Sequence, residues 1–177
     1  HAIATDSSGN VYVTGVSNAS WNGPSGQSPL HAHSGSADLF VLKLNSSGAY
    51  QWHTFYGSSS TDYSYGIATD GSGNVYVTGY SNSSWNGPTG QNPLHAYSGS
   101  NDFFVLKLNS SGAYQWHTFY GSSGNDSGGV GIAIDGGGNV YVTGVSDASW
   151  DGPSGQNPLH AYGGGGDLLA LKLTSSG

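Results

Sequence analysis

The sequence predicts an all-β protein built from three tandem copies of one unit. The copies lie 64 residues apart from the first to the second and 65 from the second to the third, measured between Trp21, Trp85 and Trp150. Short apolar runs rich in Val, Tyr and Phe alternate with Gly, Asn and Ser turns, which is typical of β-strands. No stretch shows the apolar period of about 3.6 residues that indicates a helix, so we expect essentially no helix.

Each copy is predicted to contain four strands joined by turns. In the middle copy these strands are 66–69, 75–78, 103–108 and 114–120. The tight turn at 70–74 joins the first two strands, and the turn at 109–112 joins the last two. In the third copy the sequence stops at the turn after the third strand, so we expect a fourth strand to be missing there.

The predicted strands are apolar on both faces, as residues 39–44 illustrate. A strand covered on one face only would alternate apolar and polar residues, whereas continuous apolar runs indicate small sheets packed between neighbouring sheets. The four-strand period favours propeller blades over a plain sandwich or a β-helix, whose repeats are shorter. We therefore predict a β-propeller arc with three four-stranded antiparallel blades, the last incomplete. The predicted blades are residues 1–65, 66–130 and 131–177.

Three segments carry a more specific pattern: GIATDGSGNVYVTG at 66–79, DFFVLKLNSSGAYQWHTFYGSS at 102–123 and GIAIDGGGNVYVTG at 131–144. This pattern resembles the seven-bladed β-propeller repeat (SBBP) family and, more distantly, NHL-type blades. The resemblance implies a propeller from a secreted or surface-exposed prokaryotic protein, and it implies no catalytic residue. Because propellers have about four to eight blades, three copies imply either a six-bladed dimer or part of a larger propeller.

The charge composition argues against a nucleic-acid partner. The chain has three Lys, ten acidic residues that are all Asp, and a net charge of −7. Nucleic-acid binding requires clustered Lys and Arg. The absence of Cys excludes disulfides and Cys-based metal sites. A surface poor in charge and rich in Ser, Thr, Gly, Asn and Tyr favours an extracellular or cell-surface location, and no apolar run approaches the ~20 residues of a membrane-spanning helix.

The connections between strands differ in length. The first-to-second and third-to-fourth connections are short hairpins, whereas the second-to-third connection, 16–37 in the first copy, is long. In a meandering blade the long connections emerge at the end opposite the hairpins, so we expect function on a long-loop face. The apolar faces at the two ends of an open arc are expected to associate.

The long loop contains the clearest candidate binding motif, Trp-Asn-Gly-Pro-Ser-Gly-Gln-x-Pro-Leu-His. Its aromatic, amide and imidazole groups are those that recognise sugars, and three copies would give multivalent binding. The alternative is structural: Trp21 and Leu30 fasten the loop to the blade while the His binds backbone carbonyls. The candidate ligand-binding residues are Trp21, Asn22, Gln27, His31, Trp85, Asn86, Gln91, His95, Trp150, Asp151, Gln156 and His160.

Metal binding and catalysis are less favoured interpretations. His31, His95 and His160 would hold a metal only if their loops converged at the propeller axis. Each Asp-x-x-Gly-Asn turn offers Ca²⁺ one carboxylate, and an Asx-turn explains that Asp sufficiently. The sequence has no Gly-x-Ser-x-Gly, HExxH or P-loop motif, although His31, Asp147 and Asp151 lie in loops that a propeller site can use. We expect no metal, no cofactor and no enzymatic activity.

Two further sets of residues carry expectations. The lone cations Lys43, Lys107 and Lys172 are expected to pair with Asp of an adjacent loop. Asn-x-Ser/Thr sequons, which are possible glycosylation sites, occur at Asn18, Asn45, Asn82, Asn109 and Asn125.

Together these patterns predict a non-enzymatic extracellular or cell-surface repeat protein that acts as a structural or adhesive scaffold through its long-loop face. The alternative is a multivalent carbohydrate-binding, lectin-like module, and an enzyme or a metal site at the axis is the third possibility. The expected partners are a second copy of the chain, the remaining blades of a parent chain, or a glycan or other cell-surface macromolecule. Membrane insertion is not expected.

Overall fold

The computed structural model describes residues 1–127 and 129–177, and these residues form eleven β-strands and no helix. The strands form three antiparallel sheets of four, four and three strands. The first sheet contains β1 (Ala2–Thr5), β2 (Val11–Ser17), β3 (Asp38–Leu44) and β4 (Tyr50–Tyr56). The second contains β5 (Asp62–Thr69), β6 (Val75–Ser81), β7 (Asp102–Leu108) and β8 (Tyr114–Tyr120), and the third β9 (Gly131–Ile134), β10 (Val140–Ser146) and β11 (Asp167–Leu173).

Each sheet is a meander in which sequential strands pair, as expected of a propeller blade. The strand β8 coincides with its predicted range, whereas β5 begins at Asp62, four residues before the predicted start. The earlier start has a physical cause, because residues 62–64 pair with 79–81 of β6 before a register shift at 64–66. The backbone N–H of Asp62 also donates to the carbonyl of Ala37 at 2.7 Å.

The first strand of each sheet lies on the inner side of the arc. The strand β1 contacts β5, and β5 in turn contacts β9. Since β4 and β8 are the last strands of their sheets, they lie at the opposite, outer edge. This arrangement decides where each loop residue is placed relative to the axis.

The sheets pack face to face through two apolar clusters. In the first cluster, Tyr12, Val41 and Trp52 of the first sheet pack against Val77 and Leu106 of the second. The second cluster repeats this arrangement, with Tyr76, Val105 and Trp116 of the second sheet facing the third. Burial on both faces explains why the central strands β6 and β7 of the second sheet carry apolar residues on both of their faces.

The three sheets do not close into a ring. Ile3 on the outer face of the first sheet is 67 % exposed, and Leu168 on the outer face of the third sheet is 90 % exposed. Both residues belong to the faces that a further blade would cover. Across the described part of the chain, no helix is long and apolar enough to cross a membrane.

Candidate functional site

The sequence led us to expect the long loop at the end of the blade opposite the hairpins. In the structure the loop also lies along the outer edge of its blade. The backbone N–H of Leu30 donates to the carbonyl of His53 at 2.9 Å, and the N–H of Phe55 donates to the carbonyl of His31 at 3.1 Å. The second blade repeats both bonds, between Leu94 and His117 and between Phe119 and His95. The loop therefore uses the free backbone groups of the fourth strand, which would otherwise be an open sheet edge.

The loop tryptophans are fastened to this edge by a histidine of the fourth strand. Trp85 is 5 % exposed and stacks on His117 with ring centroids 4.0 Å apart. Nε2 of His117 lies 2.9 Å from the Trp85 carbonyl. Trp21 stacks on His53 at the same 4.0 Å, with His53 Nε2 at 2.8 Å from the Trp21 carbonyl. The same pair of contacts thus holds the loop in both complete blades.

Burial and hydrogen bonding make His117 a neutral structural group. Its ring is fully buried, and burial lowers the pKa of His117 to about 4, against the opposing effect of the Trp85 carbonyl. Its Nδ1 lies 2.7 Å from the hydroxyl of Tyr114, so both ring nitrogens have partners. A neutral imidazole with two partners orients the loop and has no free nitrogen for a ligand.

The loop histidines also bind within their own blade. Nδ1 of His31 lies 2.8 Å from the Phe55 carbonyl of β4. Nδ1 of His95 lies at the same distance from the Phe119 carbonyl of β8. Each ring also stacks on the last tyrosine of the strand at 4.9 Å. The two histidines therefore lie on the outer edges of separate blades and do not converge at the axis, the arrangement that a shared metal site requires.

The amide residues of the motif divide into two groups. The Oε1 atoms of Gln27, Gln91 and Gln156 accept the backbone N–H two residues earlier, at 2.9, 3.0 and 2.9 Å, and close a small turn inside the loop. Asn22, Asn86 and Asp151 are exposed. These exposed groups, one in each blade, form a repeated polar surface on the outer rim.

The third blade carries the same loop without the strand that holds it in the other blades. Trp150 is half-buried against Phe103 and Tyr120 of the second sheet, with ring centroids 5.8 and 5.9 Å away. His160 is exposed, and its Nδ1 contacts the neighbouring carbonyl of Ala161 at 3.0 Å. A cavity of about 700 Å³ separates this loop from β11. The structure therefore does not bring the twelve candidate residues together in one site.

The hairpin aspartates have structural roles. Oδ1 of Asp6 accepts the backbone N–H of Ser8 at 2.9 Å and of Asn10 at 3.0 Å, while Oδ2 accepts the Asn10 amide and the Tyr12 hydroxyl. The equivalent hydrogen bonds, led by the Asn139 side chain, lower the pKa of Asp135 to about 2. These are the Asx-turns that the spacing indicated, and both carboxylate oxygens are already hydrogen-bonded. Among the described residues, no group of three or more potential ligands is placed to hold a metal ion.

The lysines contact the next blade, although their partners are not the predicted aspartates. Nζ of Lys43 donates to the Ser110 carbonyl at 2.9 Å and lies 5.1 Å from the centre of the Tyr12 ring. Lys107 repeats this contact with the Ser175 carbonyl. The expectation of an Asp partner was wrong because the neighbouring hairpin presents its backbone carbonyl at this point, and each Lys joins two blades through it.

The sequence reasoning missed a pair of buried carboxyls at each junction between sheets. Asp38 and Asp62 are both fully buried, and a Cβ placed on Gly57 would lie 2.7 Å from an oxygen of each. Burial raises the pKa of Asp62 to about 6, and the charge of Asp38 adds to this shift, while hydrogen bonds from Ser81 and Ser58 oppose it.

The second junction repeats the pair with Asp102 and Asp126, and burial raises the pKa of Asp102 to about 6. The available sequence signal was a Ser four residues before an Asp in the links between copies, as in Ser58 and Asp62 or Ser122 and Asp126. Each of these serines donates to the Asp through both its N–H and its hydroxyl. The carboxyl pairs lie at the junctions between sheets, where these hydrogen bonds hold them.

The remaining candidates lie apart from one another. His31 is on the outer edge of the first blade, whereas Asp147 and Asp151 are exposed on the third. Among the sequons, the side-chain oxygens of Asn45 and Asn109 accept backbone N–H groups of their own turns. Asn125 accepts from Ser100 and Asn101, while Asn18 and Asn82 are exposed.

Comparison with known proteins gives one family match. No curated protein matches the chain. The family model described as a beta-propeller repeat (SBBP) matches residues 1–20 and 51–84. These segments contain β1 and β2 of the first sheet and β4 to β6 around the junction with the second. The match over these segments and the three blade-like antiparallel sheets are consistent with the beta-propeller repeat (SBBP) family that the sequence resembles.

Proposed function

We propose that the chain is a non-enzymatic scaffold at the cell surface or outside the cell, which makes its contacts through the rim formed by its long loops. The observation that carries the proposal is the repeated fastening of the loop to the fourth strand. In both complete blades the loop Trp ring stacks on a strand histidine, the loop His binds a strand carbonyl, and the Gln closes a turn within the loop. The groups that an active site or a metal would need are therefore used to hold the fold.

The outward surface of the rim supports a role in contact with another macromolecule. Asn22, Asn86 and Asp151 are exposed at equivalent positions in consecutive blades. They are surrounded by exposed Pro, Ser, Thr and Gly, and the chain has only 7 % charged residues. A repeated polar surface, with an amide at Asn22 and Asn86 and a carboxylate at Asp151, suits weak contacts made many times, whose combined strength exceeds that of each alone.

The carbohydrate-binding alternative requires aromatic ring faces that are open to a sugar. In the two complete blades one ring face of the loop tryptophan is covered by a histidine at 4.0 Å. Trp85 in addition is almost fully buried. These contacts favour the scaffold over the lectin, because they leave the amides of the rim without an accessible aromatic platform.

A glycan array with a matched rim variant separates the two functions. The purified chain and the variant N22A/N86A/D151A are applied to the array after circular dichroism has shown that both are folded. The scaffold proposal predicts that neither protein is retained on any glycan. Retention of the native chain on one glycan class, with loss in the variant, would replace the scaffold by the carbohydrate-binding alternative.

Hydrolytic activity toward the same array provides the test of the non-enzymatic part. The proposal predicts that released sugar stays at the level of a buffer control. Release that disappears in H31A, but persists in the exposed-position control N22A, would contradict it.

A further inference from the structure

The hydroxyl of Ser81 lies between two oxygen acceptors at the first junction between sheets. Its Oγ is hydrogen-bonded to Oδ1 of Asp62 and lies 2.6 Å from the carbonyl oxygen of Ser83. A serine hydroxyl has one hydrogen, so it can donate to only one of these oxygens. Ser81 and Asp62 are fully buried, so bulk water does not supply a second hydrogen. Both contacts are hydrogen bonds only if the Asp62 carboxyl carries a proton.

The other oxygen of Asp62 shows where this proton lies. Oδ2 accepts the backbone N–H of Ser58 at 2.7 Å and the Ser58 hydroxyl at 2.9 Å, which uses both of its acceptor positions. Oδ1 is therefore the protonated oxygen. It donates to Ser81 Oγ, while the Ser81 hydroxyl donates to the Ser83 carbonyl. With the proton in this position, each hydrogen bond has one donor and one acceptor.

The surroundings of Asp62 also favour its neutral form. The titratable groups that act on it from neighbouring elements are Asp38, at the start of β3, and Tyr97 of the long loop. Tyr97 stays neutral, because burial raises its pKa above the ordinary value of 10.0. Asp38 is fully buried, and its Oδ1, which lies beside Asp62 at Gly57, has no donor among the described residues. Ionisation of Asp62 would therefore place a second negative charge beside Asp38 in a buried position.

The second junction repeats the arrangement. Ser146 Oγ is hydrogen-bonded to Oδ1 of Asp126 and lies 2.7 Å from the carbonyl oxygen of Ala148. Oδ2 of Asp126 accepts the N–H and the hydroxyl of Ser122, as at the first junction. In both copies the accepting carbonyl belongs to the second residue after β6 or β10, where the long loop begins. The hydrogen bonds thus join a buried carboxyl to the first residues of the loop.

We propose that Asp62 and Ser81 form a pH-sensitive switch at the start of the long loop. In the neutral form Asp62 donates to Ser81, and the Ser81 hydroxyl holds the Ser83 carbonyl. When Asp62 ionises, its proton passes to solvent and the Ser81 hydroxyl rotates toward the carboxylate, because a hydrogen bond to a charged acceptor is the stronger one. The Ser83 carbonyl then loses its donor. The loop is therefore held more firmly in acid and less firmly as the pH rises, two residues before Trp85.

Carbon-13 chemical shifts of the full chain, recorded by NMR from about pH 4.5 to about pH 8, test the switch. We expect the shift of the Asp62 carboxyl carbon to titrate with a midpoint of about 6. The shift of the Ser83 carbonyl carbon should change with the same midpoint. In S81A the carboxyl should still titrate, but the Ser83 carbonyl should no longer follow it, since the connecting hydroxyl is absent.

Two further variants provide the matched controls. D62N places an amide where the neutral acid donates to Ser81, so its Ser83 carbonyl should keep the low-pH shift at every pH. Ser83→Ala retains the backbone carbonyl and introduces the residue type found at the equivalent Ala148, so its carbonyl should titrate as in the native chain. Because neither variant removes the Ser81 hydroxyl, the test does not depend on the folding of S81A.

The proposal is overturned if the Ser83 carbonyl shift stays constant while the Asp62 carboxyl titrates, or if the carboxyl is ionised over the whole range. A Ser83 carbonyl that titrates equally in the native and S81A proteins would overturn it as well, because the hydroxyl would then not be the link. The scaffold function of the rim rests on the exposed loop residues and does not depend on any of these results.

Discussion

The buried histidine of the fourth strand shows how one residue can hold a long loop in place. His117 offers a flat ring to Trp85, one nitrogen to the Trp85 carbonyl and the other to the Tyr114 hydroxyl. Protonation would place an uncompensated charge in this buried site, so burial lowers the pKa of His117 to about 4. The residue therefore connects the stability of the blade to pH.

The first prediction concerns this connection. The pKa of His117 is about 4 in the folded protein, compared with the ordinary value of 6.5. The contribution of His117 to the free energy of unfolding is therefore complete above pH 6.5 and is lost as the pH falls through 4. H117Q removes this titration, so its stability relative to the native chain should rise by on the order of 3 kcal/mol between pH 7 and pH 4. Urea unfolding at several pH values measures this difference, with H160Q as an exposed-position control. A difference between native and H117Q proteins that is constant with pH would contradict the prediction.

The second prediction has the opposite sign, and it concerns the carboxyl pair at the first junction. Burial raises the pKa of Asp62 from 3.8 to about 6, so the stability that Asp62 contributes is complete below 3.8 and is lost as pH rises through 6. D62N should therefore gain stability relative to the native chain by on the order of 3 kcal/mol between pH 4 and pH 8.

The same unfolding series measures this gain, with the exposed D151N as the control. Because D62N also weakens the acceptor of the Ser58 N–H and hydroxyl, its absolute stability is not the readout. The readout is how the difference in free energy of unfolding between D62N and the native chain changes with pH. A difference that falls as pH rises would contradict the prediction, because it would show that Asp62 is ionised at low cost in the folded protein.

At the scale of the element, the long loop covers the outer edge of the fourth strand of its blade. It binds the outer edge of β4 or β8 through backbone groups and closes against it with the Trp–His stack. Open sheet edges pair with other chains, and covering them with a loop is one way in which proteins prevent this. The loop thus occupies a strand edge that would otherwise be open to pairing with another chain.

The third prediction compares the loop with and without its strand. Trp85→Ala removes a buried indole and its histidine stack, so it should lower the free energy of unfolding by about 3–5 kcal/mol. Trp150→Ala changes a half-buried residue whose loop has no fourth strand beside it, so its cost should be clearly smaller. Hydrogen exchange should also show loss of protection at the Leu94 and Phe119 amides in Trp85→Ala. Equal costs for the two variants would contradict a role for the Trp–His stack.

The sequence was sufficient for the elements but not for the path of the loop. The periodic Val-Tyr-Val-Thr-Gly and Leu-Lys-Leu runs predicted the strands, because alternating and buried apolar positions have a direct sequence signature. The bonds of Leu30 and His31 to β4 involve backbone atoms, which every residue has, so no residue pattern reveals them. The starting point of β5 was missed for the same reason, since it depends on backbone pairing of residues 62–64 with 79–81 of β6.

The same distinction holds for the candidate site. The Asx-turn at Asp6 could be predicted from local spacing, because its donors lie within the next few residues. The Trp85–His117 stack and the Asp38–Asp62 pair join residues from different strands or links, and single-sequence reasoning could not bring them together. The Lys43 partner, a carbonyl of the next blade, belongs to this second group.

At the scale of the whole molecule, the two open faces of the arc carry residues equivalent to those of its internal interfaces. Tyr12, Leu39 and Val41 of the first sheet pack against the second sheet through the face that contains Val75 and Val77. Their equivalents on the third sheet, Tyr141, Leu168 and Ala170, are exposed. The equivalents of Val75 and Val77 on the first sheet are Val11 and Val13, which are half-buried and have no sheet beyond them.

The repeat builds the same interface twice within the chain, so we expect the free face of the third sheet to pack on the free face of the first sheet of another copy. The third sheet would do so without counterparts of Trp52 and Tyr56, which β4 contributes to the internal interface. This head-to-tail contact is heterologous, so it closes into a ring if the rotation allows and otherwise continues. Two arcs would give six blades, within the range of known propellers. Association through the blade faces is thus the whole-molecule prediction of the account.

The native mass of the purified chain in solution tests this account most directly. One chain has a mass of 18.1 kDa. We predict a main species of about twice that mass in light scattering at micromolar concentration, which dissociates when a charge is placed on a blade face, as in Leu168→Asp. A single species with the mass of one chain over the same concentrations would contradict it, because the exposed faces of the first and third sheets would then be stable in water.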